Sequence, residues 1–267
     1  MLSPTKSASN FGLNSTKSHS DQDLCCRLRC GAMMGSFQVA VVVLCLLSVG
    51  RSAPVTDCNS LLQPIEIQGR EQLLGRWTML AESTDMPGSK LLTKMFVESA
   101  WARLSAANES DAIDVFQSQE MQGNCITLRS KATLNNNTLS SGTPLNSTAR
   151  LLSTSCPDCL VLKSQYFLGQ SMYSGAQLLT KRAKVSNPEL EEFKKQVQCL
   201  NLPPPVILNR GEGLCTEESS MDTDLTQDLA NTDPKVFSML DQVLKSDKGI
   251  DTLVDLISSG ISGLQNN

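Results

Sequence analysis

Residues 159–168, CLVLKSQYFL, and 171–180, SMYSGAQLLT, alternate apolar with polar side chains over part of their length, and Gly169-Gln170 lies between them. Alternation with period two is the pattern of a strand that buries one face and wets the other. Moving toward the N-terminus, the same pattern recurs in Ala149 to Ser153, Asn137 to Ser141, Asn124 to Thr133, Ala112 to Ser118, Glu98 to Ala106 and Arg76 to Glu82, with turn-forming residues between. This is an all-β signature. Eight strands of this size close an antiparallel up-and-down barrel just wide enough to hold one small ligand.

Moving toward the C-terminus, the pattern changes to a helix. Asn187 can cap, Pro188 suits the first helical position, and Leu190, Phe193 and Val197 form one apolar stripe ending at Cys199. Glu191, Glu192, Lys194 and Lys195 make the opposite, solvated face. Leu202-Pro203-Pro204-Pro205-Val206 then reads as a rigid extended strap.

The N-terminal side sets the compartment. Residues 37–49, FQVAVVVLCLLSV, are an uncharged apolar run preceded by Arg27 and Arg29 and followed by small residues, the anatomy of a signal peptide. The run is too short for a span, which needs roughly 20 apolar residues. Cleavage after Gly50 or Ser52 starts the mature chain near Arg51 or Ala53. Residues 1–52 are therefore read as leader and signal, 53–216 as the folded domain and 217–267 as a tail. The polar stretch before the apolar run is long for a leader, so translation is expected to start at Met33 or Met34. Cys25, Cys26, Cys30 and His19 then belong to no folded domain.

His19 is the single histidine of the chain. Without it the mature protein has no Ser-His or Cys-His couple and no imidazole ligand for a metal. Carboxylates and lysines can still do chemistry, but the reading is of a non-enzyme with no cofactor and no metal. Residues 54–215 carry 15 Lys and Arg against 15 Asp and Glu, whereas 216–267 carry 3 lysines against 10 acids. No basic stripe of the kind that neutralises phosphates is present, so nucleic acid is not an expected partner.

Six cysteines follow the signal: Cys58, Cys125, Cys156, Cys159, Cys199 and Cys215. An even number behind a signal peptide implies disulfides, while the spacing alone leaves the connectivity open. Cys156-Pro157-Asp158-Cys159 reads as a turn disulfide, with pairing to other cysteines or a redox or metal role as alternatives. Asn108, Asn136 and Asn146 each open an N-x-[ST] triplet in a polar, turn-like stretch and are candidate glycosylation sites.

Gly75-Arg76-Trp77, opening the first strand, resembles the G-x-W signature of lipocalins, and ELEEFKKQVQCLNLP (189–203) resembles the helix that follows the barrel in that family's orosomucoid, apolipoprotein M and fish saxitoxin- and tetrodotoxin-binding group. The resemblance covers roughly residues 56–216. It implies a secreted small-molecule carrier, with Cys58 paired to Cys199 and Cys125 to Cys215. It makes Gly75, Trp77 and Arg182 structural: the tryptophan closes the barrel floor and Arg182, or alternatively Lys181, lies across its ring. An enzymatic lipocalin works through a free thiol in the barrel, a route that a disulfide at Cys125 closes.

With Trp77 inward, Met79 and Ala81 are expected to share its face, and Trp101, Arg103, Phe116, Tyr166 and Tyr173 are the candidate ligand contacts. A lipophilic ligand with an anionic or hydroxylated end suits this set, Arg103 being the anchor, and a toxin ligand is the finer expectation that the resemblance suggests. The alternative is association with lipoprotein or protein through the tail. There, Val236, Phe237, Leu240, Val243 and Leu244, and then Leu253, Val254, Leu256, Ile257 and Ile261, recur at helical spacing.

Overall fold

The computed structural model describes residues 57–142, 145–208, 215–216 and 222–265, with the side chains of Asp222 and of 260–265 left aside. The expected leader and signal, with His19, Cys25, Cys26 and Cys30, lie outside the described residues. In chain order the elements are α1 (Cys58–Leu61), a 3-10 turn (Arg70–Gln72), β1 (Gly75–Thr84), α2 (Ser89–Phe96), β2 (Val97–Ala106), β3 (Ala112–Met121), β4 (Asn124–Asn135), β5 (Thr138–Ser141), β6 (Ser147–Leu152), β7 (Cys159–Leu168), β8 (Ser171–Thr180) and α3 (Asn187–Cys199). Short strands β9 (Val206–Ile207) and β10 (Asp222–Asp224) follow, then α4 (Thr226–Ala230), α5 (Pro234–Lys245) and α6 (Gly249–Gln265).

Strands β1 to β8 pair antiparallel in sequence order, and β8 returns to β1, so the eight-stranded barrel is closed. Two-residue turns join neighbours where the chain can adopt positive φ, as at Asn136-Asn137 between β4 and β5. The barrel has two unlike ends. Its floor lies where Gly75 pairs with Leu104 and Cys159 with Thr180; its mouth lies at the β7–β8 turn, where Leu168 pairs with Ser171.

Pairing runs all the way round the floor but is interrupted toward the mouth. β2 pairs with β1 only over Gly75–Thr78, and β9 takes up the same edge at Ala81 and Glu82. Likewise β5 pairs with β4 over Thr133–Asn135, while β10 runs parallel to β4 at Cys125–Thr127 along the edge that β3 leaves free.

On the outside, α3 lays Phe193 and Val197, both fully buried, against Ala81, Leu152, Val161, Ala176 and Leu178. Its start is fixed by a capping box: the Glu189 carboxylate accepts from the Ser186 backbone N–H at 2.7 Å. Disulfides join Cys58 to Cys199, Cys125 to Cys215 and Cys156 to Cys159. They tie α1 to the end of α3, the strap after β9 to β4, and the β6–β7 turn to itself. Cys125 is thereby not a free thiol. Among the described residues no helix is long and apolar enough to cross a membrane.

Candidate functional site

At the floor, Trp77 packs with Leu73, Ile113, Leu151, Leu160 and Leu179, which come from the 3-10 turn and from β3, β6, β7 and β8. Its indole N–H donates to the Leu73 carbonyl at 2.7 Å, so the one polar atom of the ring is satisfied inside an apolar layer. The cation over the ring is Lys181, whose Nζ lies 4.6 Å from the centroid. This corrects the expectation for Arg182. The Arg182 guanidinium instead donates to Glu189 at 2.8 Å and to the Cys156 sulfur at 2.7 Å, linking the β6–β7 turn to the first turn of α3.

Above this layer the lumen opens. A cavity of about 260 Å³ is lined by Glu82, Ser83 and Thr84 of β1, Met86, Ser89, Leu92 and Thr93 on and before α2, and Ser164, Tyr166, Gly175 and Gln177 of β7 and β8. The Glu82 carboxylate accepts from the Thr93 hydroxyl, which fastens α2 to the wall. Thr84 and Tyr166 share a hydrogen bond of 2.6 Å across the strands. Burial, followed by the charges of Asp85 and Glu82, raises the Tyr166 pKa against the opposing Thr84 bond, so the hydroxyl stays neutral. No lysine or arginine lines the cavity.

Of the candidate contacts, Tyr166 and Tyr173 face the lumen: they pair across β7 and β8, with ring centroids 6.0 Å apart. Trp101, Arg103 and Phe116 do not, and this is a correction set by register. Trp77 pairs with Ala102, so the neighbours of Ala102 turn outward. Phe116 likewise alternates with Ile113 and Val115, which belong to the floor cluster.

These three residues form an outer ladder. Trp101 and Phe116 are 5.3 Å apart, Arg76 stacks over Trp101 at 4.1 Å, and Arg103 and Arg129 flank Phe116 at 5.7 and 4.5 Å. The Trp101 N–H donates to the Cys215 carbonyl at 3.0 Å, so the strap tethered by the Cys125–Cys215 disulfide covers this face. Aromatic side chains signalled burial correctly but not which side of the wall they are buried on.

A bulge explains the remaining difference. Met79 opposes Leu179 and keeps Trp77's face, but the register shifts between Met79 and Ala81. Ala81 therefore turns outward under α3, and Glu82 and Thr84 turn inward. Counting in steps of two from Trp77 misses both. Counting back from Leu160 and Leu162 along β7, which has no bulge, reaches Ser164 and Tyr166.

Asn108, Asn136 and Asn146 are all exposed, in the β2–β3 turn, the β4–β5 turn and just before β6. Among the described residues no group of three or more His, Cys, Asp or Glu side chains is placed to hold a metal ion.

The strand pairing establishes an eight-stranded closed antiparallel barrel with α3 packed on its outside. No protein-family model and no curated protein matches the chain. Among solved structures, the siderocalin Ex-FABP, described as functioning through dual ligand specificities, is similar at 14% identity over 57% of this chain and 99% of its own, with a TM-score of 0.49. The bovine lipocalin allergen Bos d 2 is similar at 16% identity, covering 54% of this chain and 95% of its own, with a TM-score of 0.45. A dog lipocalin allergen follows at 15% identity, 55% and 99% coverage and a TM-score of 0.44. Likenesses of this degree leave the fold resting on the strand pairing itself and carry no argument about a ligand.

Proposed function

We propose that this chain is a secreted, N-glycosylated lipocalin that carries or sequesters a small molecule in the mouth half of its barrel and performs no catalysis. The observation that carries the reading is the cavity of about 260 Å³ lined by β1, the β1–α2 loop, α2, β7 and β8. It is near the small end of ligand sites, which run from roughly 300 Å³ upward, and its lining is more polar than theirs usually is, with hydroxyls, an amide and a carboxylate around two apolar side chains. Met86 and Leu92 offer the apolar contact; Glu82, Thr84, Tyr166 and Gln177 offer acceptors and donors.

The sign of the site differs from the expectation based on Arg103. With Glu82 as the charged group of the lining, a ligand end that is cationic or rich in N–H donors is favoured over an anionic one. A guanidinium toxin such as saxitoxin or tetrodotoxin, the finer expectation, has that sign. Association with lipoprotein through the tail is less well supported, because Leu244 and Leu253 are buried against the barrel and, among the described residues, Val236, Met239 and Leu256 are the large apolar side chains there that remain well exposed.

Native mass spectrometry of the secreted, deglycosylated protein tests the proposal, with a neutral arylamine, a steroid and saxitoxin added in turn. A one-to-one adduct is expected from wild type, weakened by about tenfold or more in Gln177→Trp, where the indole fills the cavity, a loss of about 1.4 kcal/mol. An adduct that survives Gln177→Trp undiminished, or none with any of the three, would sink the reading.

A further inference from the structure

The acidic tail does not trail from the barrel. α5 starts at Pro234 behind an Asp233 cap, whose side chain accepts from the Lys235 N–H at 2.8 Å. α5 and α6 then pack as a hairpin on the loops of the mouth. Leu244 and Leu253 are buried with Leu168 and Tyr173, and Phe237, Leu240, Val243 and Ile250 close on Met86, Leu92, Leu145 and Tyr166. Those four partners come from the β1–α2 loop, α2, the β5–β6 loop and β7, on different sides of the opening. Met86, Leu92 and Tyr166 also line the cavity, so the hairpin packs on side chains that form part of its wall.

The barrel is shaped to receive this hairpin. A Cβ on Gly169, in the β7–β8 turn, would come within 2.7 Å of the Ser238 backbone, and one on Gly88 would overlap the Ile250 side chain at 1.9 Å. Both glycines have positive φ, so the turns also need glycine for their own geometry. The contact is latched by a buried polar cluster. The Asp241 carboxylate accepts from the Tyr173 hydroxyl at 2.6 Å, the Ser171 hydroxyl at 2.7 Å and the Lys245 ammonium at 3.0 Å. A luminal tyrosine at the mouth thus donates its hydroxyl to the tail.

We infer that the α5–α6 hairpin is a built-in lid on the barrel mouth, which must undock for a ligand to pass and which closes over the ligand without taking its place. Among the described residues the hairpin contributes no side chain to the lining of the cavity, so that space remains when it is shut. A cover of this kind slows ingress and release together and changes affinity little, because it raises the barrier between two states without contacting the ligand in either. The inference rests on the lumen being the ligand site, and its test separates the two.

The test uses the full chain with a reporter thiol, Ser164→Cys, on the cavity wall and a small maleimide as probe. Adding Leu244→Lys, or Leu253→Lys if the first does not fold, is expected to speed labelling about tenfold or more by populating the undocked lid. A second reporter, Ala132→Cys, buried in the floor half, is expected to label at an unchanged rate. Equal rates at Ser164→Cys with and without the lid substitution overturn the inference, and so does equal acceleration at both reporters, which would mean general loosening. On proteins without a reporter thiol, stopped-flow mixing with N-phenyl-1-naphthylamine is expected to show association and dissociation constants rising together, by about fivefold or more, with their ratio shifting less than about threefold. Rates that do not move, or a ratio that collapses, count against the lid. If the probe binds neither protein while Ser164→Cys labelling still accelerates, the carrier reading fails and the lid stands.

Discussion

The floor and the mouth of this barrel are made from the same eight strands yet are different materials. At the floor, pairing is continuous around the ring and the lumen is filled by Leu73, Trp77, Ile113, Leu151, Leu160 and Leu179. Toward the mouth the ring is interrupted, β9 and β10 occupy the vacated edges, and the lumen holds hydroxyls, a carboxylate and open space. The difference teaches where stability and function reside: close-packed apolar volume cannot also be an adaptable pocket. Trp77→Ala should therefore have the largest effect on stability, about 3–5 kcal/mol by loss of buried area and a cavity left behind. Chemical denaturation reads the loss. Retained probe affinity in the fraction that stays folded would sharpen the division between the ends; a parallel loss of affinity would break it.

The latch lies at the other end and should yield a smaller, local effect. Tyr173→Phe removes one of three donors to Asp241, and about 1–2 kcal/mol is expected from a buried acceptor left short of a bond. Hydrogen exchange should show it in the amides of α5 and not in β1, β7 or β8. The pH dependence follows from the same cluster. Burial alone would raise the Asp241 pKa, but hydrogen bonds from Ser171, Tyr173 and Lys245 outweigh it and hold it below 3.8. Its contribution is fully present above 3.8 and is lost as pH falls through that lower folded value. Burial, followed by the Asp241 carboxylate, pushes the Tyr173 hydroxyl up from 10.0 to about 12, so its contribution is present below 10.0 and lost as pH rises through about 12. Protection of α5 should be flat between about pH 5 and 9 and decline on either side. A midpoint near neutral pH would show that other groups govern docking.

The two ends also differ in how far they could be read from residues alone. β7 and β8 were legible to the residue, since both are ten-residue runs rich in apolar side chains that meet at a glycine turn. The helix after the barrel was legible from its stripe and from Pro188, but its cap is Ser186 and not Asn187, because the Glu189 carboxylate closes the capping box on Ser186 and draws Asn187 into the first turn. The mouth was not, because its features depend on non-local geometry. The bulge at Met79/Ala81 reverses the faces of β1 without any mark such as glycine or proline. α2 was unseen because SKLLTKMF is only eight residues long and runs directly into β2 at Val97 with no turn residue between. β9 and β10 exist only because β2 and β5 vacate an edge. Trp101 and Phe116 were expected inside without a strand register to fix their face, whereas the outer wall also buries them once a disulfide holds the Cys215 strap against it.

Lys181 and Arg182 give the smallest and sharpest test of the floor. Both are cations just after β8, and sequence spacing does not choose between them, but their surroundings do. Lys181 holds its ammonium 4.6 Å over the Trp77 ring, while Arg182 is committed to Glu189, whose carboxyl is lowered to about 2 first by the Ser186 backbone bond and then by Arg182. Lys181→Gln should cost on the order of 0.5–1 kcal/mol and shift the tryptophan emission, since a charge is removed from one indole face. Arg182→Gln should leave that emission unchanged and loosen the first turn of α3, visible as faster exchange of its amides. If Arg182→Gln perturbs the emission and Lys181→Gln does not, the ring is closed by the other cation, and the arrangement assigned here to the floor is wrong at that point.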